Sequence, residues 1–176
     1  ATVALAASQA VHAALPIQHW TQPSGARVYL VESHAIPMVD VQIDIDAGSR
    51  RDPAAQAGLA SVMAGQIASG TRAHPKYQGP YAQAMDENQI GEAWADLGAS
   101  FGVSAGADRM SFALRSLSYP DLLDKAVALA ARQMAHPAFP EAIWVRDRER
   151  LSAASIAFTR SSTGGTTGRP SVQPCS

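Results

Sequence analysis

The chain has 176 residues, 47% of them hydrophobic and 16% charged, with a formal net charge of -1. That length suffices for one domain with a buried core, and the near-zero charge gives no electrostatic basis for a nucleic-acid partner. A single cysteine, Cys175, stands second from the end, which excludes an internal disulfide and a four-cysteine zinc site and leaves a thiol nucleophile without a base held beside it.

In chain order, Ala1 to Ala13 is apolar and built of small residues, closing on Val11-His12-Ala13. This pattern resembles the end of a signal peptide, so residues 1–13 are expected to be a signal-peptide remnant, with the mature domain over 14–158 and a periplasmic, exported location. The run is too short to span a bilayer, and no later segment is apolar enough to do so. Ala26 to Glu32 is rich in β-branched and aromatic residues behind the Pro23-Ser24-Gly25 turn, which predicts a first strand. Val39, Val41, Ile43 and Ile45 then alternate with Asp40, Gln42, Asp44 and Asp46, the signature of a half-buried strand with one wet face. The three aspartates lack the glycine and closing glutamate of a calcium loop, so they are read as a solvated face.

Leu59, Val62, Met63 and Ile67 recur at helical spacing within Gly58–Thr71, predicting a buried helix with those residues inward. Arg72 to Glu87 loses apolar periodicity and reads as a loop, with His74 as a solvated loop histidine. Ile90, Ala93, Trp94 and Leu97 predict a helix capped by Gly98, with Trp94 as its core anchor. Ala99–Ser104 and Arg109–Arg115 predict a hairpin, with Met110, Phe112 and Leu114 on its buried face.

Ser118-x-x-Asp121 reads as a capping box for an amphipathic helix to about Met134, which His136-Pro137 stops. Pro140-Glu141 opens a last helix with Ile143, Trp144 and Leu151 inward. Its charge run, Arg146 to Arg150, is read as a solvated face. Residues 159–176 carry Ser, Thr and Gly without apolar pattern and are expected to be a disordered tail. The whole order predicts an α+β fold, a mixed or antiparallel sheet with helices packed on one face.

Several stretches together resemble one repeat of the pitrilysin/insulinase metallopeptidases, in particular the exported two-gene bacterial type related to mitochondrial processing peptidase. They are Gly25–Glu32, Ile36–Asp40, Asp46–Ser49, Gly58–Ala60, Gly70–Thr71, Leu97–Ala99 and His136–Pro140. That family carries the inverted zinc motif His-x-x-Glu-His on a helix, two histidines as ligands and the glutamate activating the zinc-bound water. Laid on this sequence the motif falls on Ser61, Ala64 and Gly65, and a third ligand, a glutamate on a later helix, falls near Ala153 or Ala154.

A serine hydroxyl is a poor zinc ligand, and Ala and Gly offer no lone pair. The resemblance therefore implies a chain with no metal, no cofactor and no catalytic residue of its own. Such chains serve as the partner of an active metallopeptidase paralogue, contributing to a chamber that holds an extended peptide. Two alternatives stay open: a truncated, non-functional fragment of such a gene, and a peptidase with a metal site of another kind. Ser61 as a nucleophile lacks support, because nothing in the sequence brings His12, His19, His34, His74 or His136 to it as a base.

Overall fold

The computed structural model describes residues 16–75, 79 and 81–151. The expected signal-peptide remnant at 1–13, the tail at 159–176, and Ala153, Ala154 and Cys175 lie outside them. The chain forms two compact units, Ala1–Pro37 and Met38–Ser176.

The first unit is a hairpin of β1 (Ile17–Thr21) and β2 (Arg27–Val31), paired antiparallel from Ile17 opposite Val31 to Thr21 opposite Arg27. β2 falls on the expected first strand; β1, with the mixed sequence Ile-Gln-His-Trp-Thr, had not been legible as one. Gly25 takes a positive φ of 87° in the turn, where a side chain would be strained. His19 stacks on Tyr29 across the strands at 6.3 Å, and Gln18 donates to Glu32 at 2.9 Å.

The second unit is built on an antiparallel sheet of β3 (Met38–Ile45), β6 (Ser100–Ala105) and β7 (Met110–Leu117), in the order β3-β7-β6. Its alternation gives two unlike faces. One carries Phe101, Val103, Met110, Phe112 and Leu114, and the helices pack there. The open face carries Asp40, Gln42 and Asp44 from β3, Ser111, Ala113 and Arg115 from β7, and Ser100, Gly102 and Ser104 from β6, aligned across the strands. The expected α+β architecture is therefore present, with the sheet antiparallel throughout.

The helices follow from their sequences. α2 (Glu87–Asp96) starts on a capping box in which Asp86 accepts from the Gln89 amide and the Gln89 side chain accepts from the Asp86 amide. It ends at Gly98, whose φ of 56° suits glycine. α3 (Pro120–Ala135) begins with Tyr119 as its first cap and Pro120 at the first helical position. The expected Ser118–Asp121 capping box does not form. α4 covers residues 141–151.

Ile90, Trp94 and Leu97 of the α2 segment meet Ala126, Leu129 and Ala130 of α3 over Leu114. The Trp94 indole N–H donates to Gln133 at 2.8 Å, which satisfies both buried polar groups. Phe101 stacks at 5.7 Å on Trp94 and at 6.4 Å on Phe112, so it joins this cluster to the one under α1 (Leu59–Gln66). β4 (Gly70–Thr71) and β5 (Met85–Asp86) form a small two-stranded ladder beside them.

On β3 the apolar row does not behave as its alternation predicts. Val41, Ile43 and Ile45 are 36%, 41% and 43% exposed, although their cross-strand neighbours Leu114, Phe112 and Met110 are buried. The helices cover β6 and β7, whereas β3 is the edge strand that they leave bare. Leu151, expected inward on α4, is exposed as well.

Candidate functional site

The helix that should bear the metal motif is α1 (Leu59–Gln66), shorter than its apolar run suggested. Ile67–Ser69 continues as a 3₁₀ turn, and β4 follows. Its start is held from a distance, since the Asp52 carboxylate accepts from the Gly58 amide at 2.9 Å and the Ala60 amide at 3.1 Å. Two of the first free N–H groups are thereby satisfied by a carboxylate on the positive end of the helix dipole.

The inward face also differs from expectation. Ala60, Ala64 and Ile67 pack against Met110 and Phe112, whereas Leu59 and Met63 are 48% and 44% exposed. Small residues at spacing four let the helix lie close to the sheet, which outweighs the larger area that Leu59 and Met63 could bury.

Of the three motif positions, Ser61 and Gly65 are exposed on α1 and Ala64 is buried beneath it. A Cβ added at Gly65 would meet nothing within 4 Å. The surface of α1 thus offers one hydroxyl and one bare backbone position where two imidazoles would stand. No group of three or more His, Cys, Asp or Glu side chains among the described residues is placed to hold a metal ion.

Next to this helix, Gln66 is buried and donates to Asp147 of α4 at 2.7 Å. Arg146 reaches Glu87 at the start of α2 at 3.1 Å and Asp147 at 2.9 Å. The hydrogen bond from Arg146 holds the Asp147 carboxyl below its ordinary value, with further help from Gln66 and Arg150. Arg146 and Asp147, expected to be a solvated face, are therefore the polar joint between α4, α1 and α2.

His74 is not a solvated loop residue. It is half-buried and stacks on His136 with ring centroids 4.1 Å apart. Its loop is fastened to the end of α3 by the fully buried Arg132, which donates to the carbonyls of Tyr81, Arg72 and Gln83. A backbone bridge joins Thr71 to Pro137 in the same place. Arg132 sits within the Ala-rich apolar run of α3, and its hydrogen bonds to three carbonyls distant in sequence explain its burial.

Asp40 and Asp44 of β3 and Asp46 just after it face solvent as expected, but each is engaged. Asp40 accepts two hydrogen bonds from Arg115, at 2.6 and 3.1 Å. Asp44 accepts from Ser111 at 2.6 Å and Arg109 at 3.1 Å, and Asp46 from Arg51 at 3.0 Å. These contacts lower all three carboxyl groups, chiefly through Arg115, Ser111 and Arg51 respectively. Beside them, the open face of the sheet dips into a trough of about 590 Å³ lined by residues 40–42, 100–102 and 113–115. No helix contributes to its lining, and β6 at its side has no further strand paired to it among the described residues.

The family model of insulinase (Peptidase family M16) matches residues 27–158. The chain belongs to this family. The peptidase M16 inactive domain from Pseudomonas fluorescens is similar over 80% of this chain at 30% identity, with a TM-score of 0.70. A protease from Helicobacter pylori shares the fold at 15% identity over 80% of this chain, with a TM-score of 0.62. This chain spans 31% of the length of each. No curated protein matches. Within the insulinase family the likeness is to a non-catalytic member.

Proposed function

We propose that this insulinase-family chain is the non-catalytic subunit of an exported zinc metallopeptidase, supporting peptide binding while an active paralogue supplies the zinc and the proteolysis. The observation that carries the reading is the state of α1. It keeps its place against β6 and β7, and its glycine-led start is capped by Asp52, yet Ser61, Ala64 and Gly65 stand where two ligands and a base are required. Retaining the scaffold while lacking all the motif chemistry fits a chain whose shape is used by another.

Peptide is held, on this reading, along the free edge of β6. An extended segment can add there as a further strand through main-chain hydrogen bonds, and the exposed residues of β6, Ser100, Gly102 and Ser104, are too small to obstruct it. The periplasmic location is supported by the signal-like composition of residues 1–13.

Mixed with an active family member of the same organism, the full chain is expected to co-elute with it in size-exclusion chromatography and to raise its peptidase activity. Two independent peaks with unchanged activity would overturn the proposal. Elemental analysis is expected to find zinc well below one ion per chain; one tightly held ion would refute the non-catalytic assignment.

A second reading, a non-functional fragment of such a gene, draws on the exposed row Val41, Ile43 and Ile45. A cooperative thermal melt of the isolated chain would argue against it.

A further inference from the structure

The trough on the open face adjoins the same edge of β6, and its shape has a cause in the sequence. Two aligned rows line the trough, Asp40–Arg115–Ser100 and Gln42–Ala113–Gly102, and a third, Asp44–Ser111–Ser104, follows along the sheet. In the middle row Gly102 has no side chain, a Cβ at that position would meet nothing within 4 Å, and Ala113 beside it has only a methyl group. The sheet surface sinks between the outer rows, from the open edge inward.

We propose that this trough seats one aromatic side chain of an extended peptide paired with β6. The inference rests on the reading of β6 as the peptide-binding edge and adds the class of peptide. A strand added there would lie about 4.8 Å from β6 and direct alternate side chains onto the open face. The side chain opposite Gly102 has no neighbour on β6 to stand against, so it leans inward across the backbone toward Ala113.

A ring is long and flat enough to cover both positions, and an aromatic residue laid over a glycine of the neighbouring strand is an established way of stabilising such a pair. Arg115 forms the rim, its guanidinium fixed in orientation by two hydrogen bonds to Asp40, and such a fixed guanidinium stacks well on a ring. The Asp40–Arg115 pair leaves the rim without net charge to draw a charged side chain, and a short aliphatic side chain would not cross to Ala113.

The test uses the full chain and two fluorescein-labelled nine-residue Ser/Thr peptides, identical except for Phe or Ala at the centre, read by fluorescence anisotropy. An otherwise uniform peptide can slide until its one aromatic residue stands opposite Gly102. The Phe peptide is expected to bind roughly fivefold more tightly than the Ala peptide. In Gly102→Thr the preference should vanish, the Phe and Ala peptides binding equally, since the threonine side chain fills the trough.

Arg115→Gln, a change at an exposed rim position, should reduce the preference to about twofold, the part that the guanidinium does not supply. Equal binding of both peptides to the unaltered chain, or a preference that survives both variants, overturns the aromatic seat and leaves the edge reading standing. Binding of neither peptide overturns the edge reading and the seat with it.

Discussion

Helices α1 and α3 lie in the same unit and solve the burial problem in opposite ways. α3 runs 16 residues, turns Ala126, Leu129 and Ala130 into the core and buries Arg132 and Gln133 with partners from distant segments. α1 runs eight residues, buries its small face and leaves Leu59 and Met63 in solvent. α1 rests its small side chains Ala60 and Ala64 on the sheet, and polar contacts pin both of its ends: Asp52 at its start, and Asp147 joined to Gln66 at its end. α1 is thus fastened at its two ends as well as through its small apolar face, whereas α3 is fastened through its middle.

The sharpest way to break this contrast is at Arg132. Arg132→Met removes the donors to three backbone carbonyls while preserving most of the apolar volume, leaving the carbonyls of Arg72, Tyr81 and Gln83 short of a partner. A loss of about 3 kcal/mol is expected in denaturant unfolding. A change within about 0.5 kcal/mol would show that the 72–83 loop is not tied to α3 by this side chain. On α1 the corresponding change is smaller. Asp52→Ala frees the amides of Gly58 and Ala60, and such a cap is worth about 1 kcal/mol. Loss of helical signal confined to α1 in hydrogen exchange is the expected accompaniment.

How much of this could be read from the residues follows the same division. α2, β6, β7 and α3 were legible because their apolar residues repeat with the period of the element that buries them, as Met110, Phe112 and Leu114 do. The inward face of α1 was not, because hydrophobicity favoured Leu59 and Met63 over Ala60 and Ala64, and closeness to the sheet decided it. Arg146, Asp147 and Arg132 act through partners 59, 81 and 60 residues away in sequence, separations that no local pattern encodes.

His74 and His136 found each other in the same fashion. Likeness to the family assigns the motif's place to Ser61, Ala64 and Gly65 only as an expectation, while the trough beside β6 needed the strand register that sets Gly102 against Ala113. Gly48 belongs with it: a Cβ there would run into the backbone of Ala107 and Arg109, a demand set by the fold and not by the turn's own φ.

Acid offers the mildest test of the contrast. The carboxyl groups of Asp40, Asp44, Asp46 and Asp147 all lie below their ordinary value of 3.8, each chiefly through the hydrogen bond of a neighbouring Arg115, Ser111, Arg51 or Arg146. A carboxyl lowered in the folded chain stabilises it fully above the unfolded value, and that contribution is lost as the pH falls through the lowered one. Stability should therefore be flat from neutral pH down to about 5 and decline below about 4, weakly, since these pairs are solvent-exposed and screened by salt.

The order of loss carries the information. Asp147 anchors α1 through Gln66 and α2 through Arg146, while the contacts of α3 to Leu114 and Trp94 contain no carboxylate. Protection of α1 amides against hydrogen exchange, corrected for the intrinsic rate, is expected to fall before that of α3 amides as the pH drops below about 4. If both helices lose protection together at every pH, then α1 and α3 open as one cooperative unit, and the polar ends of α1 do not set its stability.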